Sequence, residues 1–284
     1  MSQGGSFTER VRQELSRAPV VDAEAEDELA VLLRLAARFH RVGTVDGSRT
    51  TLEVASPSGA VVRRVFGLLP RVHDERPQLW VREPGGVRTS TTYGLVLEED
   101  VDGLATRLGL VEDHRPVPGL PGDPAPGVAV RAALLTVAAL SAPGRAVHAE
   151  LRVPSSAVGE ALAQAVRTLG ARPHLDEDRE RLVLKSGDGV SALLDAAGAP
   201  DAAAEFDERR HRRRLRNDAT RLANADAANL RRTIEAAQSQ LAMVERAVDA
   251  VGWAGLGEEL RNLALARMVN PTASLAELGE LCDP

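Results

Sequence analysis

The apolar positions of this 284-residue chain follow one pattern twice. In each copy, a helix with apolar residues three and four positions apart is followed by a strand, a second helix, two strands and a third helix. The first copy has predicted helices at 29–39, 60–69 and 101–110 and predicted strands at 51–56, 78–82 and 91–98. The second has helices at 132–141, 157–169 and 190–197, a strand at 148–153 and a hairpin over 173–185. The pattern predicts an α+β domain of two αβαββα repeats with pseudo-twofold symmetry.

Individual residues support the repeat. Leu95-Val96-Leu97 recurs as Leu182-Val183-Leu184. At another fixed offset, Glu53, Pro57, Ser58, Ala60 and Val61 recur as Glu150, Pro154, Ser155, Ala157 and Val158. The intervening segment 116–127 reads PVPGLPGDPAPG, which is typical of a linker because proline and glycine interrupt regular structure. We therefore predict a domain over residues 1–200, with repeats at 1–115 and 128–200.

After residue 200 the sequence is dominated by helix-forming residues. Predicted helices cover 203–223, 226–251 and 258–268, and a fourth begins at Ser274, where Thr272 or Ser274 can cap it and Glu277 completes a capping box. With Leu275, Leu278 and Leu281 facing inward and a break at Asp283-Pro284, the fourth helix is typical of the first helix of a helix-turn-helix. We predict a linker helix at 201–223 and a helical DNA-binding domain at 224–284 that lacks its recognition helix.

Composition excludes several classes of protein. An apolar run of about 18 residues is absent and the N-terminus lacks the apolar core of a signal peptide, so we expect a cytoplasmic protein that does not enter a membrane. One cysteine, Cys282, excludes an intramolecular disulfide and a multi-cysteine metal site. The six histidines lack the HExxH spacing of a zinc enzyme. The sequence therefore predicts neither a cofactor nor a bound metal.

Positive charge is concentrated in one segment of the chain, residues 205–221. Net charge is −6, yet residues 205–221 carry seven arginines against four acids. Guanidinium groups pair with phosphate oxygens and release counterions, which favours nucleic acid as a partner. The alternative is a solvated helix held by ion pairs four residues apart, Glu205 with Arg209 and Glu208 with Arg212. Arginine accounts for 34 of the 35 basic residues, so its abundance alone does not decide between these interpretations.

The two repeats resemble LAGLIDADG homing endonucleases. In those nucleases two signature helices meet at the pseudo-twofold axis, and an acid at the end of each holds the catalytic metals. The resemblance places Ala36 and Ala138 at the two catalytic positions. Because alanine offers no ligand, we expect a non-enzymatic protein with no nuclease activity. The polar residues left on these helices are Arg34 and Thr136, so we expect a packed interface there.

Two segments of the C-terminal third carry a more specific similarity, RRRLRNDATRLANADAANLRR at 212–232 and SLAELGELCDP at 274–284. With these segments the chain resembles the WhiA family of bacterial regulators, and the resemblance covers nearly its whole length. Pro143-Gly144 after the second signature helix adds to it. The chain departs from the family at Thr220 and Ala227, and the family continues past Pro284 into a basic recognition helix.

The WhiA resemblance implies a function. It implies a degenerate LAGLIDADG-like domain joined to a helix-turn-helix-type domain, which binds double-stranded promoter DNA at the nucleoid and regulates cell division and sporulation. It also implies a WhiB-type iron–sulfur regulator and RNA polymerase as partners. A second hypothesis is a protein-interaction module that has lost DNA binding and acts through a regulatory partner.

The resemblance and the charge together give the candidate nucleic-acid-binding residues. Arg212 and Arg216 are four apart and share one helix face, with Arg213 adjacent to both. The alternative for Asn224 is a capping role at a break between helices just before Asp226. The complete candidate set is Arg212, Arg213, Arg216, Arg221, Asn224, Asn229, Arg231 and Arg232.

Overall fold

The computed structural model describes residues 6–44, 47–85, 89–112 and 115–282. The chain divides into a first unit, residues 1–213, and a second unit, residues 214–284. The first unit contains both repeats and the large apolar core.

The first repeat is a four-stranded antiparallel sheet covered by helices, with strand order β1-β2-β4-β3. Leu52 and Leu97 are paired in register and buried, as are Val54 and Leu95, so one face of the sheet lies on the core. The elements are α1 (Phe7–Leu15), α2 (Ala25–Ala36), β1 (Ala37–Thr44), β2 (Gly47–Ser56), α3 (Gly59–Val72), β3 (Gln78–Arg82), β4 (Thr92–Leu97) and α4 (Val101–Arg107).

The second repeat has the same topology, with strand order β7-β8-β10-β9. A two-stranded ribbon, β5 (Val111–Glu112) with β6 (Arg115–Pro116), precedes it. Its elements are α5 (Pro126–Thr136), β7 (Ala138–Leu140), β8 (Ala149–Arg152), α6 (Ser156–Thr168), β9 (His174–Asp176), β10 (Arg181–Leu184) and α7 (Gly187–Ala197). The predicted linker 116–127 overlaps β6 at Pro116 and α5 at its start. Helix α5 begins within the linker at Pro126, because proline suits the first position of a helix.

Each repeat contains one more strand than the sequence pattern predicted. The signature helices end at Ala36 and Thr136, whereas we predicted helix to residues 39 and 141. The residues that follow pair at once with the next strand, Phe39 opposite Leu52 and Ala138 opposite Leu151. A short apolar run suits a helix or a strand equally well, and pairing with the neighbouring strand decides between them. The repeat is therefore αββαββα.

Helix α1 was not predicted from the sequence. It buries Phe7, Val11 and Leu15, which are spaced four residues apart, and Ser6 caps its first turn by accepting a hydrogen bond from the Glu9 N–H. The signal was present, but nine residues are too few for periodicity to be distinctive.

The signature helices α2 and α5 pack against each other in the middle of the first unit. Apolar residues supply most of this interface, as predicted. A buried ion cluster lies beside it: Glu28 on α2 is 1% exposed and Arg64 on α3 is 3% exposed. Arg131 on α5 also reaches Glu28, at 3.0 Å. The sequence pattern did not predict this polar cluster.

The second unit is helical. Helix α8 (Pro200–Gly255) begins in the first unit, and α9 (Glu258–Val269) and α10 (Leu275–Cys282) follow it. The predicted break near Asn224 is wrong, since α8 is continuous there. The interruption lies at Gly252, whose φ of 67° and ψ of 164° form a backbone conformation that glycine alone adopts readily. Asn224 therefore does not cap a helix.

The capping box of the last helix is confirmed. The Ser274 N–H donates to the Glu277 carboxylate at 2.7 Å, and the Glu277 N–H donates to Ser274 Oγ at 3.2 Å. The bond from the Ser274 N–H contributes most to holding the pKa of Glu277 below its usual range, and the Ser274 hydroxyl adds to it. The expected inward face is partly wrong: Leu278 is buried, but Leu275 and Leu281 are exposed. The predicted break at Asp283-Pro284 lies outside the described residues.

Two further findings concern membrane-spanning helices and metal-binding clusters among the described residues. No helix within them is long and apolar enough to cross a membrane. In the same part of the chain, no group of three or more His, Cys, Asp or Glu side chains is placed to hold a metal ion.

Candidate nucleic-acid interface

Helix α8 is anchored at its start by the first unit. Phe206 is buried and stacks on Phe7 with ring centroids 6.0 Å apart. The Glu14 carboxylate accepts hydrogen bonds from the N–H groups of Asp201 and Ala202 at 2.8 and 2.9 Å, which satisfies the open donors of the helix N-terminus. The first turns of α8 are therefore part of the folded core.

Three arginines of α8 in the first unit, Arg209, Arg210 and Arg212, are engaged in ion pairs. Arg209 contacts Glu205 at 3.0 Å and Arg212 contacts Glu208 at 2.6 Å, so both ion pairs expected from the sequence are present. Arg210 is bound more firmly, by Asp188 at 2.6 Å and Asp207 at 3.1 Å. Arg213 is half-buried. Within the arginine-rich segment 205–221, this stretch of α8 is therefore a helix surface held by ion pairs.

The part of α8 in the second unit differs in its exposure. Every residue from 214 to 236 is exposed, on all sides of the helix. Arg221 is 83% exposed with Asp218 3.8 Å away, and Arg231 is 82% exposed with Glu235 3.2 Å away. Ion pairs this exposed contribute little to stability and exchange readily for other partners. These guanidinium groups are accessible to a large anion.

Helical geometry sorts the exposed residues into faces. With about 3.6 residues per turn, positions three, four, seven and eleven apart share one face. Such spacing joins a set that we call the basic stripe: Arg214, Asn217, Arg221, Asn224, Arg231 and Arg232. Asp218, four residues from Arg214 and three from Arg221, borders the stripe, Asp226 lies off it, and Glu235 lies on it at its end. One face of α8 is thus mainly basic over about 27 Å, at 1.5 Å per residue.

The structure groups some predicted residues and separates others. Arg221, Asn224, Arg231 and Arg232 share the stripe. Arg216 and Asn229 lie on other faces of α8, with exposed Leu215, Leu222 and Leu230 on the same side. Arg214 and Asn217 were missed, although both lie in the predicted helix 203–223, seven and four residues before Arg221.

The three helices of the second unit leave an apolar groove of about 380 Å³. Met243, Leu260 and Leu275 are among its lining residues. The turn between α9 and α10 is held by Arg267, which is buried and donates from Nη1 to the carbonyls of Asn270, Pro271 and Ala273 at 3.4, 3.2 and 2.5 Å. This arginine fixes the approach of α10 to α9.

The ends of the signature helices carry no carboxylate. Ala36 is the last residue of α2, and Ala138 begins β7 and is buried. Next to the second position lies a guanidinium: Arg12 Nη2 donates to the Ala138 carbonyl at 2.9 Å. Burial lowers the pKa of Arg12, and Glu9 offsets this in part. The Ala36 and Ala138 side chains therefore offer no ligand for a metal cation at these two positions.

The sequence is similar to three described domain families that together span most of the chain. Residues 22–111 match the WhiA N-terminal LAGLIDADG-like domain, residues 127–216 the WhiA LAGLIDADG-like domain, and residues 219–284 the WhiA C-terminal HTH domain. Among similar relatives are the proteins named "Probable cell division protein WhiA" of Acidothermus cellulolyticus, Mycobacterium avium and Kocuria rhizophila. Each is 36% identical over 289 residues, and the alignments cover 98% of this chain and 88%, 87% and 86% of the three relatives.

Two solved structures resemble the fold. Full-length WhiA from Thermatoga maritima superposes with a TM-score of 0.61 at 19% identity, covering 97% of this chain and 91% of that one. An N-terminal LAGLIDADG domain of WhiA gives a TM-score of 0.52 at 15% identity, covering 69% of this chain and 92% of that one. The predicted fold class, two LAGLIDADG-like repeats followed by a helical domain, is confirmed.

Proposed function

This chain belongs to the WhiA family, and on that premise we propose that it is a DNA-binding transcriptional regulator that acts in cell division and sporulation. The observation that carries the proposal is the basic stripe, whose part from Arg221 to Arg232 lies in the segment similar to the WhiA C-terminal HTH domain. Duplex DNA carries closely spaced phosphates along its length, and a linear row of exposed guanidinium groups matches that array.

We propose that the stripe contacts the DNA backbone and does not read bases. Arginines on one face of a straight helix can reach phosphates along a duplex, and such contacts position a protein without carrying sequence information. Asn217 and Asn224 lie between the arginines and can donate to phosphate oxygens as well. Arg212, Arg213, Arg216 and Asn229 remain predicted contacts outside the stripe. Arg213, four residues before Asn217, continues the face of the stripe but is half-buried.

We place the protein in the cytoplasm at the nucleoid, because promoter DNA is its proposed ligand. A WhiB-type iron–sulfur regulator and RNA polymerase are proposed as partners, on the family resemblance. The domain boundaries proposed are 1–200, 201–223 and 224–284.

Replacing Arg214, Arg221 and Arg232 together with alanine is expected to weaken binding to every duplex tested by a similar factor. Each phosphate that the variant no longer neutralises should reduce the slope of log K against log salt concentration by about 0.9. Fluorescence anisotropy titrations at several salt concentrations, on a WhiA-family promoter duplex and on a scrambled duplex, measure both quantities.

The matched control for that experiment is Arg172→Ala, which removes an exposed arginine from the loop between α6 and β9. It should leave affinity and salt slope unchanged. Because the stripe is exposed, the triple variant should melt like the wild type. An unchanged salt slope in the triple variant would contradict the assignment of the stripe.

We also propose that the protein acts without cutting DNA. Supercoiled plasmid incubated with the purified chain and Mg²⁺ or Mn²⁺ should remain supercoiled on an agarose gel, since Ala36 and Ala138 supply no metal ligand. Metal-dependent nicking that co-purifies with the chain and is abolished in an Arg12→Ala or Ala138→Arg variant would overturn this.

A further inference from the structure

The outer edge of β3 is open. β3 ends the first sheet, and within the described ranges no strand pairs with its other side. Exposed strand edges offer unpaired N–H and C=O groups, and proteins commonly cover them. The β7 edge of the second sheet shows such cover: Thr8 Oγ1 accepts from the Leu140 N–H at 2.8 Å, and Arg12 bonds to the Ala138 carbonyl at 2.9 Å.

An apolar cleft of about 250 Å³ lies next to this edge, between β3 and α3. Leu79 and Val81 on β3 are each 57% exposed, and Phe66 on α3 and Tyr93 on β4 are also exposed. The Tyr93 ring rests 3.7 Å from the position that a Cβ on Gly59 would take, so the ring lies against the start of α3. Contiguous exposed apolar side chains of this kind mark binding surfaces.

The second repeat shows that the fold does not require the cleft. Leu175 on β9 is paired with Leu182, as Leu79 is paired with Leu95. Leu175 lies on Gly159 of α6, where an added Cβ would be only 2.8 Å from it, and it is partly buried in the core. The corresponding position in the first repeat is left open, and β3 is also longer, with five residues against three.

We propose that this cleft binds an extended segment of a partner protein, which adds to β3 as a fifth strand of the first sheet. Strand addition uses the open backbone groups for affinity, and alternate side chains of the incoming strand enter pockets that give specificity. The cleft would take the apolar side chains of that segment. This proposal concerns the first unit and is independent of DNA binding by the second.

Charge indicates the composition of the segment. Among the described residues that line the cleft, the charged one is Arg63, and none is acidic. Arg82, at the end of β3, lies over the Trp80 ring at 4.2 Å. Arg82 and Trp80 lie on the opposite face of the sheet from Leu79 and Val81, because side chains alternate along a strand. A segment with apolar residues at alternate positions, which enter the cleft, and an Asp or Glu between them, which lies on the Arg82 face, is complementary to this edge.

The size of the edge argues against a second copy of this chain as the occupant. Five residues of strand extend about 17 Å, and a contact strip about 10 Å wide then covers roughly 170 Å². A stable protein–protein interface buries about 800 Å² on each partner. A peptide that places its own side chains in the cleft needs no such area to bind with micromolar affinity.

The test is to pan a phage library of random dodecapeptides on the full-length chain and on the double variant Leu79→Thr/Val81→Thr. Threonine keeps the strand propensity and removes apolar surface, so the variant should fold and melt like the wild type. Peptides enriched on the wild type should have alternating apolar residues and an acid. Their synthetic forms should bind the wild type with micromolar affinity and the double variant about tenfold more weakly. Val21→Thr, which alters an exposed apolar residue outside the cleft, should bind like the wild type.

Backbone pairing is tested by N-methylating the bound peptide one residue at a time. Methylation at every second residue should abolish binding, because alternate N–H groups of an added strand point to β3. Absence of enrichment over the double variant overturns the proposal, as does binding that is indifferent to methylation. Two other results would assign the cleft to a different occupant and likewise overturn the proposal. One is binding of duplex DNA that is lost only in the double variant, and the other is self-association in analytical ultracentrifugation that is lost only in that variant.

Discussion

Replacing Glu28 with alanine is expected to lower the free energy of unfolding of the first unit by about 3–5 kcal/mol. Arg64 donates to both Glu28 oxygens, from Nε at 2.6 Å and from Nη2 at 2.7 Å, and Arg131 Nη1 donates at 3.0 Å. Glu28 is 1% exposed and Arg64 3%. Removal of the carboxylate leaves two desolvated guanidinium groups facing each other. Urea unfolding of a Trp253→Phe background measures this, because Trp80 is then the sole tryptophan and lies in the first unit.

The control is Glu26→Ala, two residues earlier on α2. Glu26 pairs with Arg107 at 3.1 Å, but both side chains are about half exposed, so the loss of stability should not exceed about 1 kcal/mol. A variant with Glu28→Leu, Arg64→Met and Arg131→Met should recover much of the stability, since the uncompensated charges are gone. Equal destabilisation of the Glu26 and Glu28 variants would contradict the role given to the cluster.

The buried cluster shows why some of the core was not predictable. In the sequence, Glu26-Asp27-Glu28 looks like an acidic first turn that favours the helix N-terminus and faces water. Arg64 and Arg131 are distant in sequence, and each sits in a helix that otherwise reads as apolar. Only the packing of α2, α3 and α5 brings the three together, and no local pattern records that packing.

Features set by near neighbours in sequence were predictable. The Ser274–Glu277 capping box depends on four consecutive residues, and the repeats show in element order and in matched residues such as Ser58 and Ser155. The strands β1 and β7 were missed because their short apolar runs suit a helix equally well, and only pairing with β2 and β8 makes them strands. Leu275 and Leu281 were expected inward on periodicity alone, whereas burial also requires a second surface to pack against.

The sequence indicated the arginine-rich composition of the candidate site, but not the arrangement of its residues along one face of a single helix. The arginine-rich segment 205–221 and the family motif at 212–232 both lie on α8, the helix that carries the basic stripe. The expected break before Asp226 divided that helix in two, so the spacing of eleven residues from Arg221 to Arg232 was not considered. The spacing of seven residues from Arg214 to Arg221 lies within the predicted helix 203–223 and was overlooked. An asparagine such as Asn224 looks the same in the sequence whether it caps a helix or lies exposed in the middle of one. The continuity of α8 shows that Asn224 lies in the middle of a helix.

Replacing Arg267 with alanine is expected to destabilise the second unit by about 3 kcal/mol. One nitrogen of this buried side chain serves three carbonyls at the α9–α10 turn, and hydrogen bonds to a charged group contribute about 1.5–3 kcal/mol when made. Backbone carbonyls left buried without donors add to the destabilisation. A helical unit of this size is stable by only about 4–10 kcal/mol, so the change is a large fraction of the total. Urea unfolding followed by Trp253 fluorescence in a Trp80→Phe background reports on this unit alone.

Two further substitutions separate the hydrogen bonds of Arg267 from its packing. Arg267→Met keeps an apolar stem of similar length and removes every donor, so it should be nearly as unstable as the alanine variant. Arg267→Lys retains three donors on a single ammonium and should recover part of the stability, because that compact group reaches fewer of the carbonyls at once. Arg246→Ala, an exposed position on α8, should unfold at the same urea concentration as the wild type. If the methionine variant were as stable as the wild type, the carbonyl contacts would contribute nothing, and the turn between α9 and α10 would be held by apolar packing of the side-chain stem alone.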